Sequence, residues 1–117
     1  LAHHNAKQDF EREHTTPFLW ENNHIFRVRN VEWDKELDYS MTHRWTIDYE
    51  EDYIFIKNVY DELYHRSPNF SMYDILNLLS RKPELAKINE KYCGVNWYRH
   101  HLHQLKTINI NQTKVLK

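Results

Sequence analysis

One glycine, Gly94, serves a chain of 117 residues. A loop that cradles phosphate needs several glycines, because only they let backbone N–H groups approach the phosphate oxygens closely. This sequence cannot assemble such a loop. Any nucleotide chemistry it takes part in must borrow that element from elsewhere.

The remaining composition describes an ordinary folded chain. Hydrophobic residues make up 40% and charged residues 28%, too apolar for a disordered segment. Aromatic residues reach 15%, so large rings must fill the core or cover a surface that meets a partner. The formal net charge is -1 with no long block of one sign, which leaves no electrostatic footprint for nucleic acid or an acidic membrane. No apolar run approaches the roughly 20 residues that a membrane span requires. The polar start, Leu1 to Asp9, carries no secretory signal. A single cysteine, Cys93, fits a reducing compartment, and a cytoplasmic location is expected. A first residue of Leu rather than Met suggests processing or a fragment.

Periodicity places the elements. Residues 1–8 read as the end of a polar helix stopping near Asp9, and Pro17 opens a short helical segment, Phe18 to Glu21. Ile25 to Trp33 and His43 to Asp48 alternate apolar and polar residues and predict two half-buried strands. In the second, Trp45 and Ile47 face one way, and Arg44, Thr46 and Asp48 the other. Glu50 to Tyr64 predicts a helix with an acidic first turn and an apolar stripe of Tyr53, Ile56, Val59 or Tyr60, and Leu63. Ser71 with Asp74 predicts the capped start of another helix, its apolar face Met72, Ile75, Leu76 and Leu79. Pro83 begins a short helix, Val95 to Leu105 carries helical spacing, and the last ten residues read as a loose tail. Composition shifts near residue 68, dividing the chain into a mixed unit, 1–68, and a helical appendage, 69–117.

Three stretches carry a family resemblance. Glu11-Arg12-Glu13-His14-Thr15-Thr16-Pro17-Phe18 resembles the EREHVTPY-type segment of the cytidylyltransferase family that includes the spore coat polysaccharide biosynthesis protein F. Arg44-Trp45-Thr46-Ile47-Asp48-Tyr49-Glu50-Glu51-Asp52 is similar to that family's RWTVDTPED. Phe70-Ser71-Met72-Tyr73-Asp74-Ile75-Leu76 resembles its FSMEDIL, and Pro83-Glu84-Leu85 continues the likeness. Each motif is weak alone; the three in order are fairly specific. They cover most of this chain but only the C-terminal part of the family, whose N-terminal RxxSxRLPGK-like loop is missing.

The resemblance implies an α+β chain, the C-terminal fragment of an α/β nucleotidyltransferase, with two strands, four or five helices and a helix-rich C-terminal half. It implies transfer of a nucleotidyl group, most often from CTP, to a sugar or sugar acid with release of pyrophosphate, as in the related CMP-KDO and CMP-sialic acid synthetases. By position Asp48 would help hold Mg²⁺. Arg44 shares its face and would pair with a phosphate or a sugar carboxylate, while Glu13 and His14 would contact acceptor hydroxyls. The partners implied are the N-terminal nucleotide-binding half and both substrates, and the chain is expected to be inactive alone. The rival expectation is a non-catalytic interaction or oligomerisation module derived from such an enzyme.

Each residue also has a plainer reading. The family's Thr-Pro after the aspartate is Tyr49-Glu50 here, so Asp48 could instead cap the following helix with Glu51 as its capping partner. Glu13 and Thr16 could simply fix the turn before Pro17. Tyr92, Trp97 and Tyr98 read as core packing or as a homodimer contact. The histidine groups, His3-His4 and His100-His101-His103, lack the converging His and Cys set that zinc needs and read as surface residues. Cys93 reads as a partly buried small residue.

Overall fold

The computed structural model describes residues 2–14, 16–32 and 37–116. Among them, six α-helices and three 3₁₀ turns make up the regular structure, and there is no β-strand. The helices are α1 (Ala2–Asn5), α2 (Asp9–Glu13), α3 (Pro17–Glu21), α4 (Glu50–Leu63), α5 (Met72–Arg81) and α6 (Pro83–Ala86). The α+β expectation is therefore corrected to an all-helical chain.

Both alternating segments fail as strands for the same reason. A strand needs a neighbour to take its backbone N–H and C=O groups, and no described residue offers a ladder. Ile25 and Phe26 instead donate their N–H groups to the Asn22 carbonyl at 2.9 and 3.0 Å, closing a turn. Val28 and Val31 stay exposed, Val31 completely. Trp33, the end of that segment, lies outside the described residues. In the second segment the Arg44 carbonyl accepts from Asn89 Nδ2 at 3.1 Å, a side chain where a strand partner would stand. Arg44 turns inward while Ile47 remains exposed, so the alternation does not sort the two faces.

The core forms where α4, α5 and α6 meet. Phe55 and Val59 of α4 pack with Leu78 and Leu79 of α5 and Leu85 of α6, and Trp45, Ile56, Leu63, Phe70 and Ile75 are among the residues that close around them. Full burial of each large apolar side chain contributes about 1.5–3 kcal/mol. The buried stripe of α4 runs through Asp52, Phe55 and Val59. It leaves the expected Tyr53 and Tyr60 exposed, with their polar tips in water. In α5, Leu78 is the deepest residue and Met72 is exposed. Ser71 caps α5 as expected: its hydroxyl accepts from Asp74 N, and its own N–H reaches Asp74 Oδ2 at 2.7 Å.

The N-terminal helices dock on the C-terminal segment. Asp9 begins α2 rather than ending a helix. Phe10 is buried, 5.8 Å from the Trp97 ring and 5.0 Å from that of His101. The Glu21 carboxylate accepts the N–H groups of Lys106 and Thr107 at 2.7 and 3.0 Å, and the Thr107 hydroxyl as well. Val95 to Leu105 is a 3₁₀ turn, Trp97–His100, between loops. The final segment is tied down: Lys114 N donates to the Gly94 carbonyl at 2.7 Å, and Thr113 is buried.

Candidate functional site

The site begins with the start of α4. Its N-cap is Tyr49, not Asp48, and the carboxylate that closes the first turn belongs to Asp52, not Glu51. Asp52 Oδ2 accepts the N–H groups of both Asp48 and Tyr49 at 3.1 Å. Asp52 is fully buried, and its other donors are Asn89 Nδ2 at 2.8 Å and Arg44 Nε at 2.9 and 3.0 Å from the two oxygens. Burial works to raise the Asp52 pKa, but the hydrogen bonds from Arg44, Asn89 and the two backbone N–H groups outweigh it and hold the pKa below the usual range.

Arg44 spends its fork on the chain itself. Besides Asp52, Nη1 donates to the Val95 carbonyl at 2.8 Å and Nη2 to Asp48 Oδ2 at 2.5 Å. Its guanidinium lies 5.4 Å from the centre of the Tyr49 ring. Asp48, by contrast, exposes 66% of its side chain. Its carboxylate is thus open to solvent just ahead of α4, at the end of a loop rather than of a strand.

Arg44, Asp48, Tyr49, Val95, Trp97 and Arg99 line a cleft of about 300 Å³. Arg99 is set by its bond to the Asn96 carbonyl at 2.9 Å and by a longer one, 3.4 Å, to the Tyr49 hydroxyl. His14 arrives from the end of α2 and stacks on Trp97, with ring centroids 3.9 Å apart and planes 22° apart. His14, expected from one motif, therefore stacks on an indole that lines the same cleft as Arg44 and Asp48 from the other, although His14 itself does not line it. Glu13 is exposed at the last position of α2 and does not line the cleft.

The electrostatics are mixed. Asp52 neutralises Arg44, which leaves Asp48 as a net negative charge and Arg99 as a positive charge in the cleft. Among the described residues no three His, Cys, Asp or Glu side chains gather as metal ligands. The second oxygen of Asp48 is a hard donor facing solvent. It fits Mg²⁺ in the one-carboxylate manner, with phosphate oxygens and water completing the shell. Cys93 is half-buried and free, and burial pushes its thiol pKa up, away from a reactive thiolate.

Sequence reasoning missed Asp52, Asn89 and Arg99, and it read Trp97 as core packing or a homodimer contact, not as cleft lining. One signal was present: Arg44, Asp48 and Asp52 stand at intervals of four. Nothing local announces Asn89 or Arg99. Tyr92 stacks on Tyr49 at 3.8 Å and 5°, while Trp97 contacts Phe10, His14, Tyr98 and His101, so these rings find partners within the chain.

Comparison with known proteins adds one relative. An uncharacterized protein of Methanocaldococcus jannaschii is 31% identical over 88 residues, 73% of this chain and 34% of that protein. The chain thus spans about a third of that relative's length. No family model matches, and no solved structure matches. Among the described residues, no helix is long and apolar enough to cross a membrane.

Proposed function

We propose that this chain is the acceptor-side and metal-side wall of a sugar nucleotidyltransferase, with the phosphate-gripping loop supplied by polypeptide outside these 117 residues. The reaction is transfer of CMP from CTP to a sugar or sugar acid, with loss of pyrophosphate, in the cytoplasmic synthesis of surface polysaccharide. One observation carries the reading. His14 from the first family-like motif stacks on Trp97, and Trp97 lines one cleft with Arg44 and Asp48 from the second.

The roles follow from the charges. Asp48 would hold Mg²⁺, which neutralises charge on the triphosphate when bound. Arg99 presents a guanidinium to an anionic group across the cleft. Arg44 positions Asp48 through its 2.5 Å bond instead of meeting substrate, since Asp52 and Val95 occupy its other donors. His14, stacked on the shared Trp97, is left to meet acceptor hydroxyls, while Glu13, outside the cleft lining, takes no part. Opposite charges in one cleft suit a ligand that brings both signs, as a metal-bound nucleotide does.

Chemical-shift titration with Mg²⁺ and CTP tests the division of labour. CTP should bind weakly or not at all, and tight binding would show that no outside loop is needed. The parent reading frame gives a second test. An in-frame nucleotide loop upstream of residue 1 supports the enzyme. A native start directly before it favours a non-catalytic interaction or oligomerisation module. The exposed tyrosines of α4 and its C-cap, Tyr53, Tyr60 and Tyr64, would suit such a module.

A further inference from the structure

A wider groove of about 610 Å³ lies beside the cleft and shares Trp97 with it. Three aromatic rings, Trp20, Trp97 and Tyr98, and three amides, Asn23, Asn30 and Gln112, supply most of its lining. None of the described residues that line it is a carboxylate, a lysine or an arginine. That separates it from the charged cleft.

The rings are inclined to one another. The Trp20 and Trp97 centroids stand 6.4 Å apart at 47°, and those of Trp97 and Tyr98 stand 5.6 Å apart at 76°. Each is held by its polar handle or its packing. Trp20 Nε1 donates to Thr16 Oγ1 at 3.1 Å, the Tyr98 hydroxyl donates to the Gln112 carbonyl at 2.9 Å, and His14 covers Trp97. Gln112 Oε1 accepts Asn109 N at 2.9 Å, which fixes the side chain. Asn23 and Asn30 are exposed, each offering a donor and an acceptor.

We propose that this groove binds a neutral saccharide of one or two rings. A pyranose has an apolar C–H face and a rim of uncharged hydroxyls, each both donor and acceptor. Indole rings cover the first, and carboxamides match the second with paired donors and acceptors. With no cation on the lining, a sugar acid or a nucleotide gains no charge partner there and prefers the cleft with Arg99. The volume is within the roughly 300–1,000 Å³ usual for small-ligand sites. The proposal does not depend on nucleotidyl transfer, because it names a ligand class from this groove alone.

The test follows the tryptophan indole N–H resonances of the intact chain during titration with maltose, cellobiose and mannobiose, and separately with glucuronate. The Trp20 and Trp97 signals should move and saturate in the millimolar range with at least one neutral disaccharide. The Trp45 signal, from a ring packed against the helical core, should stay still. Glucuronate, judged on the Trp20 signal alone because the cleft with Arg99 shares Trp97, should bind at least tenfold more weakly. Trp20→Ala should abolish the shifts; since it also removes the bond to Thr16, Asn30→Ala at an exposed position is the second variant, expected to weaken binding severalfold with an otherwise unchanged spectrum. No movement with any of the three neutral sugars, equal response to glucuronate, or indifference to Asn30→Ala would overturn the proposal. So would a capped polyproline peptide that moved the two indoles when the sugars did not. Failure here leaves the CTP and reading-frame tests untouched, so the two readings fall separately.

Discussion

Arg44 Nε lies 2.9 and 3.0 Å from the two carboxylate oxygens of Asp52, and the two residues expose only 8% and 0% of their surface. The pair joins the start of α4 to the loop before it, and through Nη1 to the Val95 carbonyl. Removing one partner strands a buried charge, which typically costs about 3–5 kcal/mol. Against a usual domain stability of about 5–15 kcal/mol, Asp52→Ala should bring the chain close to unfolding. Urea denaturation should show a lowered midpoint with little change in slope. Arg44→Lys should also destabilise, because an ammonium cannot reach Asp52, Val95 and Asp48 together.

Acid should weaken the fold in two stages. His43 has a pKa lowered by burial, so the unfolded chain takes up its proton first as pH falls through about 6.5. Stability therefore declines gently there. The Asp52 pKa is also below its unfolded value, so its contribution is complete above about pH 4 and is lost as pH drops towards the folded pKa. The second decline should be steeper, because the carboxyls of Glu21, Asp38, Glu51 and Asp74 are likewise held below their ordinary pKa and take up protons over the same range. His43→Gln should erase the gentle stage and keep the steep one, as read from melting temperatures across pH.

What could be foreseen divides along the range of the interactions. The starts of α4 and α5 were legible because they are local: an acidic first turn at Glu50, and Ser71 facing Asp74. The strands were misjudged because alternation describes one chain's faces and says nothing of a neighbour to pair with. Val31 and Ile47 have the right pattern and nothing to cover them. Arg44 and Asp48 were singled out, but Asn89 reaches Asp52 from far along the chain, and no spacing reveals that. Packing was one of two readings for Trp97, but its partners were not legible, for a similar reason. Its surroundings come from Phe10 and His14 in α2 and its flank, so the helical period of Val95 to Leu105 was a poor guide.

Gly94 is needed for its conformation. Its φ is +75°, and an added Cβ would stand 2.7 Å from Met41 Cε. Left-handed backbone costs an ordinary residue roughly 1–2 kcal/mol. Met41 is flexible at that end and can shift, so the backbone term should dominate. Gly94→Ala should destabilise by about 1–2 kcal/mol. It should also loosen the last segment, because the Gly94 carbonyl anchors Lys114 N at 2.7 Å. Faster amide exchange at Lys114 than in the parent chain would show this directly.

Asp48 and Arg99 separate stability from activity. The Asp48–Arg44 contact has one exposed partner, and such ion pairs contribute about 0–1 kcal/mol. Asp48→Asn should therefore leave the melting temperature nearly unchanged, in contrast to Asp52→Ala at the buried centre of the same network. In the protein that carries the nucleotide loop, the same change removes the hard donor proposed for Mg²⁺. Turnover should fall at least a hundredfold, and higher Mg²⁺ should restore part of it, since the amide oxygen is a weaker ligand rather than none. Arg99→Ala should instead raise KM for the anionic substrate and leave the Mg²⁺ dependence alone. Near-normal turnover of Asp48→Asn in a folded enzyme would remove the carboxylate from the chemistry and leave it as the outer partner of Arg44.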